Sequence, residues 1–400
     1  MQRISSRGEG SAGSIYSSCG SIYSSPGSIY SSPGSIYSSP LTIYSYISRR
    51  RATMKKGTLN AITDIEGVAI GHVTLDGPAG GGDYHCTGVT AILPHSGNLF
   101  EEKVPAASFV LNGFGKTAGL IQVAELGVIE SPIMLTNTFS VGAVLEGTLQ
   151  YMLEENPAIG DSASSLNVVV GECNDSYLNS MRNMAVRPEH AIEAIQAAAG
   201  GTFAQGATGA GKGMICYGAK GGIGSASRLV EAQGRTFTAG ALVLTNFGRG
   251  HECLFPGWVV PEEPAPETPV VGDKDDREKR PDGSVIIVVA TDAPLDSRQL
   301  GRLAKRAAIG LGRTGTHIHN GSGDIIIAFS TGFTVPHGGG EMTVTREVLK
   351  DDHPVMNDLF QAVIESTEEA ILQSLLHAET TFGRKGRIVK KAVFESVPVK

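Results

Sequence analysis

From about residue 59 onward, the chain is patterned by short, unbroken apolar runs, each fenced by Gly, Asn or Asp. Ser108-Phe109-Val110-Leu111, Ile133-Met134-Leu135-Thr136, Val168-Val169-Val170 and Leu242-Val243-Leu244 are such runs. Ser284 to Ala290 and Ile325 to Phe329 complete the set. Apolar runs of this length without polar alternation mark strands covered on both faces. Between them the spacing becomes helical. Ala143 to Glu155 puts Leu145, Leu149 and Met152 on one side, and Pro188 to Ala199 opens with proline where a first helical turn tolerates it. Ser297 to Leu311 repeats Leu300, Leu303, Ala307 and Leu311 at helical spacing, while Asn357 to His377 is the longest and most acidic stretch. Strands alternating with helices predict an α/β protein whose sheets are covered by helices.

The first part of the chain has a different texture. Residues 13 to 40 repeat Gly-Ser-Ile-Tyr-Ser-Ser-Pro, with Cys in place of Pro in the first unit. A seven-residue period suits a coiled coil only with an apolar stripe, and Gly, Pro and adjacent apolar residues make none. Residues 1–53 therefore read as a low-complexity, disordered tail, with Met54 as the working start. Residues 54–283 and 284–400 read as two parts of one globular domain, separated by a charged, proline-rich linker at 257–283.

Composition narrows the function. The net charge of −7, with no basic block beyond Arg49-Arg50-Arg51 and Lys55-Lys56, argues against a nucleic-acid partner. Five scattered cysteines without Cys-x-x-Cys spacing argue against a disulfide framework or a zinc site and fit a reducing, cytoplasmic setting. No run approaches the roughly 18 apolar residues of a membrane span. The 52 glycines suit a site built from tight loops.

Most candidate motifs fail on inspection. Gly206-Ala207-Thr208-Gly209-Ala210-Gly211-Lys212-Gly213 ends in Gly where a phosphate-binding loop needs Ser or Thr, and Gly115-Lys116-Thr117 lacks its first glycine. His337-Gly338-Gly339-Gly340 has the composition of a lipase oxyanion loop, yet the nearest serine signature precedes it and lacks a Gly. His317-x-His319 reads as a solvated or packed pair rather than a metal site. Asn320-Gly321-Ser322-Gly323-Asp324 is either a plain turn or a Ser322–Asp324 polar pair at the mouth of a strand. Leu244-Thr245-Asn246-Phe247-Gly248 ends a strand with an amide able to donate to an oxyanion. Gly283-Ser284 is either a linker end or a bond whose cleavage would give Ser284 a hydroxyl and an amine together, as nucleophile and base.

Taken together, several stretches resemble one family, the DmpA-type self-processing aminopeptidases, which include L-aminopeptidase/D-esterases and β-peptidyl aminopeptidases. They are Ile62 to His72, Leu135-Thr136-Asn137-Thr138 with Ser140-Val141-Gly142, Gly171-Glu172-Cys173-Asn174-Asp175, and Gly206 to Arg228. Thr245 to Gly248, Gly283-Ser284 leading into Ala290 to Leu295, and Asn320 to Asp324 follow in the same order. The resemblance implies a four-layer αββα sandwich, similar to N-terminal-nucleophile hydrolases, and a precursor that cuts itself at Gly283–Ser284. It implies Ser284 as nucleophile, Ser322 and Asp324 as its supporting pair and Asn246 as the oxyanion donor. Glu172, Tyr177 and Asn137 fall where the family meets the substrate. No metal or cofactor is implied; the substrate is a small peptide or an amino-acid amide or ester, and the αβ units form a homo-oligomer. Two other readings are an acyltransferase of the ornithine-acetyltransferase type, whose nucleophile is threonine, and a non-cleaving binding protein on the same scaffold.

Overall fold

The computed structural model describes residues 54–260, 283–339 and 341–395. The repeat tail and most of the expected linker lie outside the described residues. Two sheets carry the architecture. In the first, β1 (Ala69–Gly80), β2 (Asp83–Leu93), β4 (Ile133–Asn137) and β5 (Val169–Cys173) lie in that order. In the second, β3 (Glu102–Gly113) is followed across the sheet by β9 (Gly323–Ser330), β8 (Ser284–Thr291), β7 (Arg235–Asn246) and β6 (Ile223–Ala232).

Helices cover the outer faces. In chain order the helices are α1 (Leu120–Leu126), whose Val123 instead joins the core between the sheets, then α2 (Val141–Glu155), α3 (Pro188–Gln196), α4 (Ser297–Arg313) and α5 (Val355–Leu376) on the outer faces. The layering is visible in how β8 divides its side chains. Ile286, Val288 and Ala290 join Ile92, Ile133, Leu135 and Val169 in the core between the sheets. Val285, Ile287 and Val289 pack instead with Leu300, Leu303, Val363 and Ile371 of α4 and α5. On the far side, Val89, Met134 and Val170 meet Val144, Ala191 and Ile195 of α2 and α3. Three apolar layers between four structural layers make the αββα sandwich. Every residue of β8 and β9 is buried, as the unbroken apolar runs required, and each fully buried Ile or Val contributes roughly 1.5–3 kcal/mol.

Local chemistry fixes the element ends. Asp296 caps α4 by accepting from the Gln299 N–H at 2.7 Å, and the Gln299 side chain accepts from the Asp296 N–H at 3.1 Å, a reciprocal capping box. At the other end of the described chain, the Met54 N–H donates to Glu365 Oε2 on α5 at 3.0 Å. The start of the expected linker is not linker. Trp258–Val259 pairs with Val393–Phe394, the Trp258 indole donates to the Gly250 carbonyl, and its ring lies 5.5 Å from that of Phe394. An aromatic side chain with so much surface to bury pulls these residues onto the domain. Among the described residues, no helix is long and apolar enough to cross a membrane.

Candidate active site

Topology brings three strand ends to one place. β8 and β9 run parallel, so their first residues lie side by side, Ser284 opposite Gly323. β7 runs antiparallel to β8, so its last residue, Asn246, is the other neighbour of Ser284. Ser284 is only 5% exposed, and its Oγ accepts from the Gly323 N–H at 3.2 Å. The preceding Gly283 lies against backbone: a Cβ there would fall 2.1 Å from the Asn246 carbonyl oxygen and 2.3 Å from Phe247 Cα. Only glycine lets the chain approach so closely. β3 ends here too, and its pairing with β9 is bulged between Asp324 and Ile325, a device that re-aims side chains beside functional sites.

The bulge carries a polar pair. Ser322 Oγ donates to Asp324 Oδ1 at 2.7 Å, so the serine oxygen keeps its lone pairs for another donor. Asp324 is buried, and its Oδ2 has no hydrogen-bond partner among the described residues. Burial pushes its pKa up to about 6, against the pull of the Ser322 hydroxyl and the nearby His319. Asn112 ties the loop down, its Nδ2 donating to the carbonyls of His319, Asn320 and Ser322.

The Asn246 amide is held at both ends. Its Oδ1 accepts from the Ile215 N–H at 2.9 Å and its Nδ2 donates to the Asn174 carbonyl at 2.9 Å. Nδ2 carries two hydrogens, so one remains for a ligand. Glu172 is buried at the end of β5, taking the Lys116 N–H at 2.9 Å and a short hydrogen bond from the Thr138 hydroxyl. Gly115 joins this carboxylate to the serine. A Cβ on Gly323 would lie 3.0 Å from Gly115 Cα, and one on Gly115 would lie 3.7 Å from Glu172 Oε1. A serine hydroxyl, an amide donor, a Ser–Asp pair and a buried carboxylate thus share one region.

A family comparison decides what to call it. Residues 60–389 match the model of peptidase family S58. The chain belongs to this family. Beta-peptidyl aminopeptidase BapA of Sphingosinicella microcystinivorans is 39% identical over 348 residues, covering 84% of this chain and 86% of the relative. Among solved structures, a Burkholderia sp. beta-aminopeptidase is 36% identical with a TM-score of 0.75, covering 85% of this chain and 92% of its own. The L-aminopeptidase D-Ala-esterase/amidase of Ochrobactrum anthropi, described as a variant of the Ntn hydrolase fold, is 32% identical with a TM-score of 0.73. It covers 87% of this chain and 93% of its own. This S58 peptidase is accordingly a serine-type aminopeptidase with an N-terminal-nucleophile fold, and neither the acyltransferase nor the binding-protein reading is favoured.

The other sequence candidates have different places in the S58 chain. The Asn137 amide is held inside the protein, donating to Thr87 Oγ1 at 2.7 Å and accepting from the Phe139 N–H at 3.0 Å. It shapes the turn that presents Thr138 to Glu172. The Tyr177 ring lies beneath the Arg387 guanidinium at 4.4 Å and packs near Leu178 and Val389. The His337 ring lies against Phe100, and its backbone N–H donates to the Glu101 carbonyl at 2.7 Å. That is the opposite end of β3 from Asn112, roughly 30 Å away at strand rise. His317 is solvated, as expected, and His319 is part-buried; both approach one carboxylate oxygen of Glu252, at 3.6 and 2.9 Å. The near-miss loop spends Lys212 on Asp76 at 2.7 Å. Sequence reasoning missed the Gly323 N–H, the Asn174 carbonyl and Thr138, because those contacts depend on strand register and turn shape.

Proposed function

We propose that this chain cuts itself at Gly283–Ser284 and then works as an N-terminal-serine aminopeptidase on short peptides, amides or esters. The observation that carries the reading is the position of Ser284: first residue of a central strand, flanked by Asn246 and Gly323, with Gly283 pressed on backbone. In the first reaction the Ser284 hydroxyl adds to the Gly283 carbonyl. The C–N bond breaks, nitrogen takes the proton, and an ester links Gly283 to Ser284 Oγ. Water then cleaves the ester, leaving a Gly283 carboxylate and a free Ser284 α-amine.

That amine supplies the base for turnover. Its reference pKa of about 7.7–8 leaves a useful neutral fraction near neutrality. It takes the Ser284 proton as Oγ attacks the substrate carbonyl and returns it to the departing amine. The second Asn246 Nδ2 hydrogen meets the oxyanion. Ser322, its own hydrogen held by Asp324, accepts from the Ser284 amine and orients it. Glu172 receives the ammonium of the substrate's first residue, with Tyr177 beside that end and Asn137 supporting it. Water releases the acyl group from Ser284. Kinship with proteins named β-peptidyl aminopeptidases adds β-amino-acid amides to the substrate class, and αβ units assembling in the cytoplasm complete the reading.

N-terminal sequencing of the purified protein, with hydrolysis of α- and β-amino-acid p-nitroanilides, tests it. A fragment beginning at Ser284 and amidase activity are expected, both lost in Ser284→Ala. An active, uncut chain would overturn the reading.

A further inference from the structure

A buried cation lies just behind the proposed oxyanion donor. Lys220 is fully buried, and its ammonium donates to the carbonyls of Gly211 at 2.9 Å, Met214 at 2.7 Å and Gly221 at 2.7 Å. The three N–H groups of a lysine are thereby all used. A charge taken out of water is costly even when its hydrogen bonds are satisfied; burial pushes the Lys220 pKa down to about 7. The Gly206–Gly213 segment, which resembles a phosphate loop, thus turns the Gly211 carbonyl toward a cation, and the Met214 carbonyl just beyond it does the same.

One of those carbonyls leads directly to the site. The Met214 C=O and the Ile215 N–H are two ends of a single peptide group. The C=O takes Lys220 Nζ and, at 3.2 Å, the Gly221 N–H. The N–H donates to Asn246 Oδ1 at 2.9 Å. The same peptide thus touches the buried cation at one end and the candidate oxyanion amide at the other. A tight hairpin fixes this placement, with Ile215 opposite Lys220 and Cys216 opposite Ala219. Its turn residues, Tyr217 and Gly218, both have positive φ, 51° and 79°, as a type I′ turn requires. The strained Tyr217 is anchored at both ends, by its N–H to the Phe247 carbonyl at 2.8 Å and by its hydroxyl to Thr314 at 2.6 Å. The hairpin is therefore pinned to the residue that follows Asn246.

We propose that Lys220 is a positioning residue of this active site, acting on Asn246 through the Met214–Ile215 peptide. The inference rests on the oxyanion role given to Asn246 above. With the Ile215 N–H on Oδ1 and the Asn174 carbonyl on Nδ2, a flipped amide would set donor against donor and acceptor against acceptor. The ammonium holds the peptide in the plane that imposes this choice. It also draws charge from the Met214 oxygen, which strengthens the Ile215 N–H as a donor and, one bond further on, the Asn246 amide hydrogens.

A double-mutant cycle on the full chain tests this, reading the self-cleavage rate on denaturing gels and kcat and KM on an amino-acid p-nitroanilide. Lys220→Met is expected to slow self-cleavage and lower kcat by about tenfold or more, with KM little changed, a part of the 10²–10³ that an oxyanion donor supplies. In an Asn246→Ala background the same change should cost less than about twofold. Equal losses in both backgrounds would assign Lys220 a purely structural role and overturn the proposal. So would a wild-type self-cleavage rate in Lys220→Met. A harmless Asn246→Ala would instead remove the oxyanion reading, and this inference with it. Thermal unfolding checks the fold of each variant. If Lys220→Met has no cooperative transition, Lys220→Gln, which keeps donors but not charge, carries the same cycle with the same criteria.

Discussion

At Gly283 a single hydrogen atom in place of a methyl group decides where the carbonyl proposed for cleavage can sit. The Cβ of alanine would meet the Asn246 oxygen at 2.1 Å and Phe247 Cα at 2.3 Å. Both are backbone atoms of the strand end that holds the amide donor, so the Gly283 side must yield. Displacement of a reacting group by an ångström costs on the order of 10²-fold. Gly283→Ala is therefore expected to accumulate as the uncut 41.8 kDa chain, with self-cleavage slowed about tenfold to a hundredfold on denaturing gels; a wild-type rate would sink this account. Asp324 supplies a second prediction. Its proposed working form is the carboxylate that holds the Ser322 hydrogen, and burial raises its pKa to about 6. Activity is lost as pH falls through that value, so self-cleavage should decline below about pH 6. Turnover needs a neutral α-amine as well and should begin to fall near the amine's reference value of about 8. In log rate against pH, Asp324→Asn should remove the lower limb and leave the upper. Ser284, Ser322, Asp324 and Asn246 stood out because each marks the edge of an apolar run, and the family resemblance supplied their proposed roles. Their partners, the Gly323 N–H and the Asn174 carbonyl, are backbone groups that any residue type supplies.

Elements with continuous apolar runs were equally legible, and those mixing glycine, serine and charge were not. β8 and β9 run one or two residues beyond their predicted limits. β1, β2 and β6 were missed: β1 is half exposed and contains Gly and Pro, and β6 contains Gly224, Ser225, Ser227 and Arg228. β6 earns its place through a helix it does not resemble in sequence. Arg228 donates to Glu365 at 3.0 Å and to Glu369 at 2.6 Å, all three side chains being buried between β6 and α5. What looked like an acidic helix face is the counter-charge of a strand. Removing Arg228 would leave two buried carboxylates without it, a loss on the order of 3–5 kcal/mol. Arg228→Met should lower the urea midpoint accordingly. Burial opposes the Glu369 charge, but Arg228 and Lys56 outweigh it and hold its pKa below the ordinary 4.5. Stability from this group is thus present above that value and lost as pH falls below it, so the destabilisation should shrink in acid. Equal midpoint losses at neutral and acid pH would contradict the ion-pair account.

For the whole molecule, the cut position matters less than how the two products are interleaved. Across the second sheet the order is β3, β9, β8, β7, β6. β9 and β8 come from residues after Gly283, and they lie between β3 on one side and β7 and β6 on the other, all from residues before it. Ser284 to Thr291 pairs with β7 along its full length and with β9 on its other edge. The helices follow suit: α4 and α5, both after the cut, share one apolar core with Phe237, Ala239, Ala241 and Val243 of β7. Separating the products would break a central strand ladder and open two of the three apolar layers, which is equivalent to unfolding. Cleavage should therefore free the Ser284 amine without freeing either fragment. The cut protein is expected to elute as one species containing both fragments and to unfold in one cooperative transition. Fragments separating in native buffer, or two resolved transitions, would show that the sheet is not continuous across the cut. Continuity is what the proposed chemistry requires, since Ser284 would contribute its amine from one fragment while Asn246 would hold the oxyanion from the other.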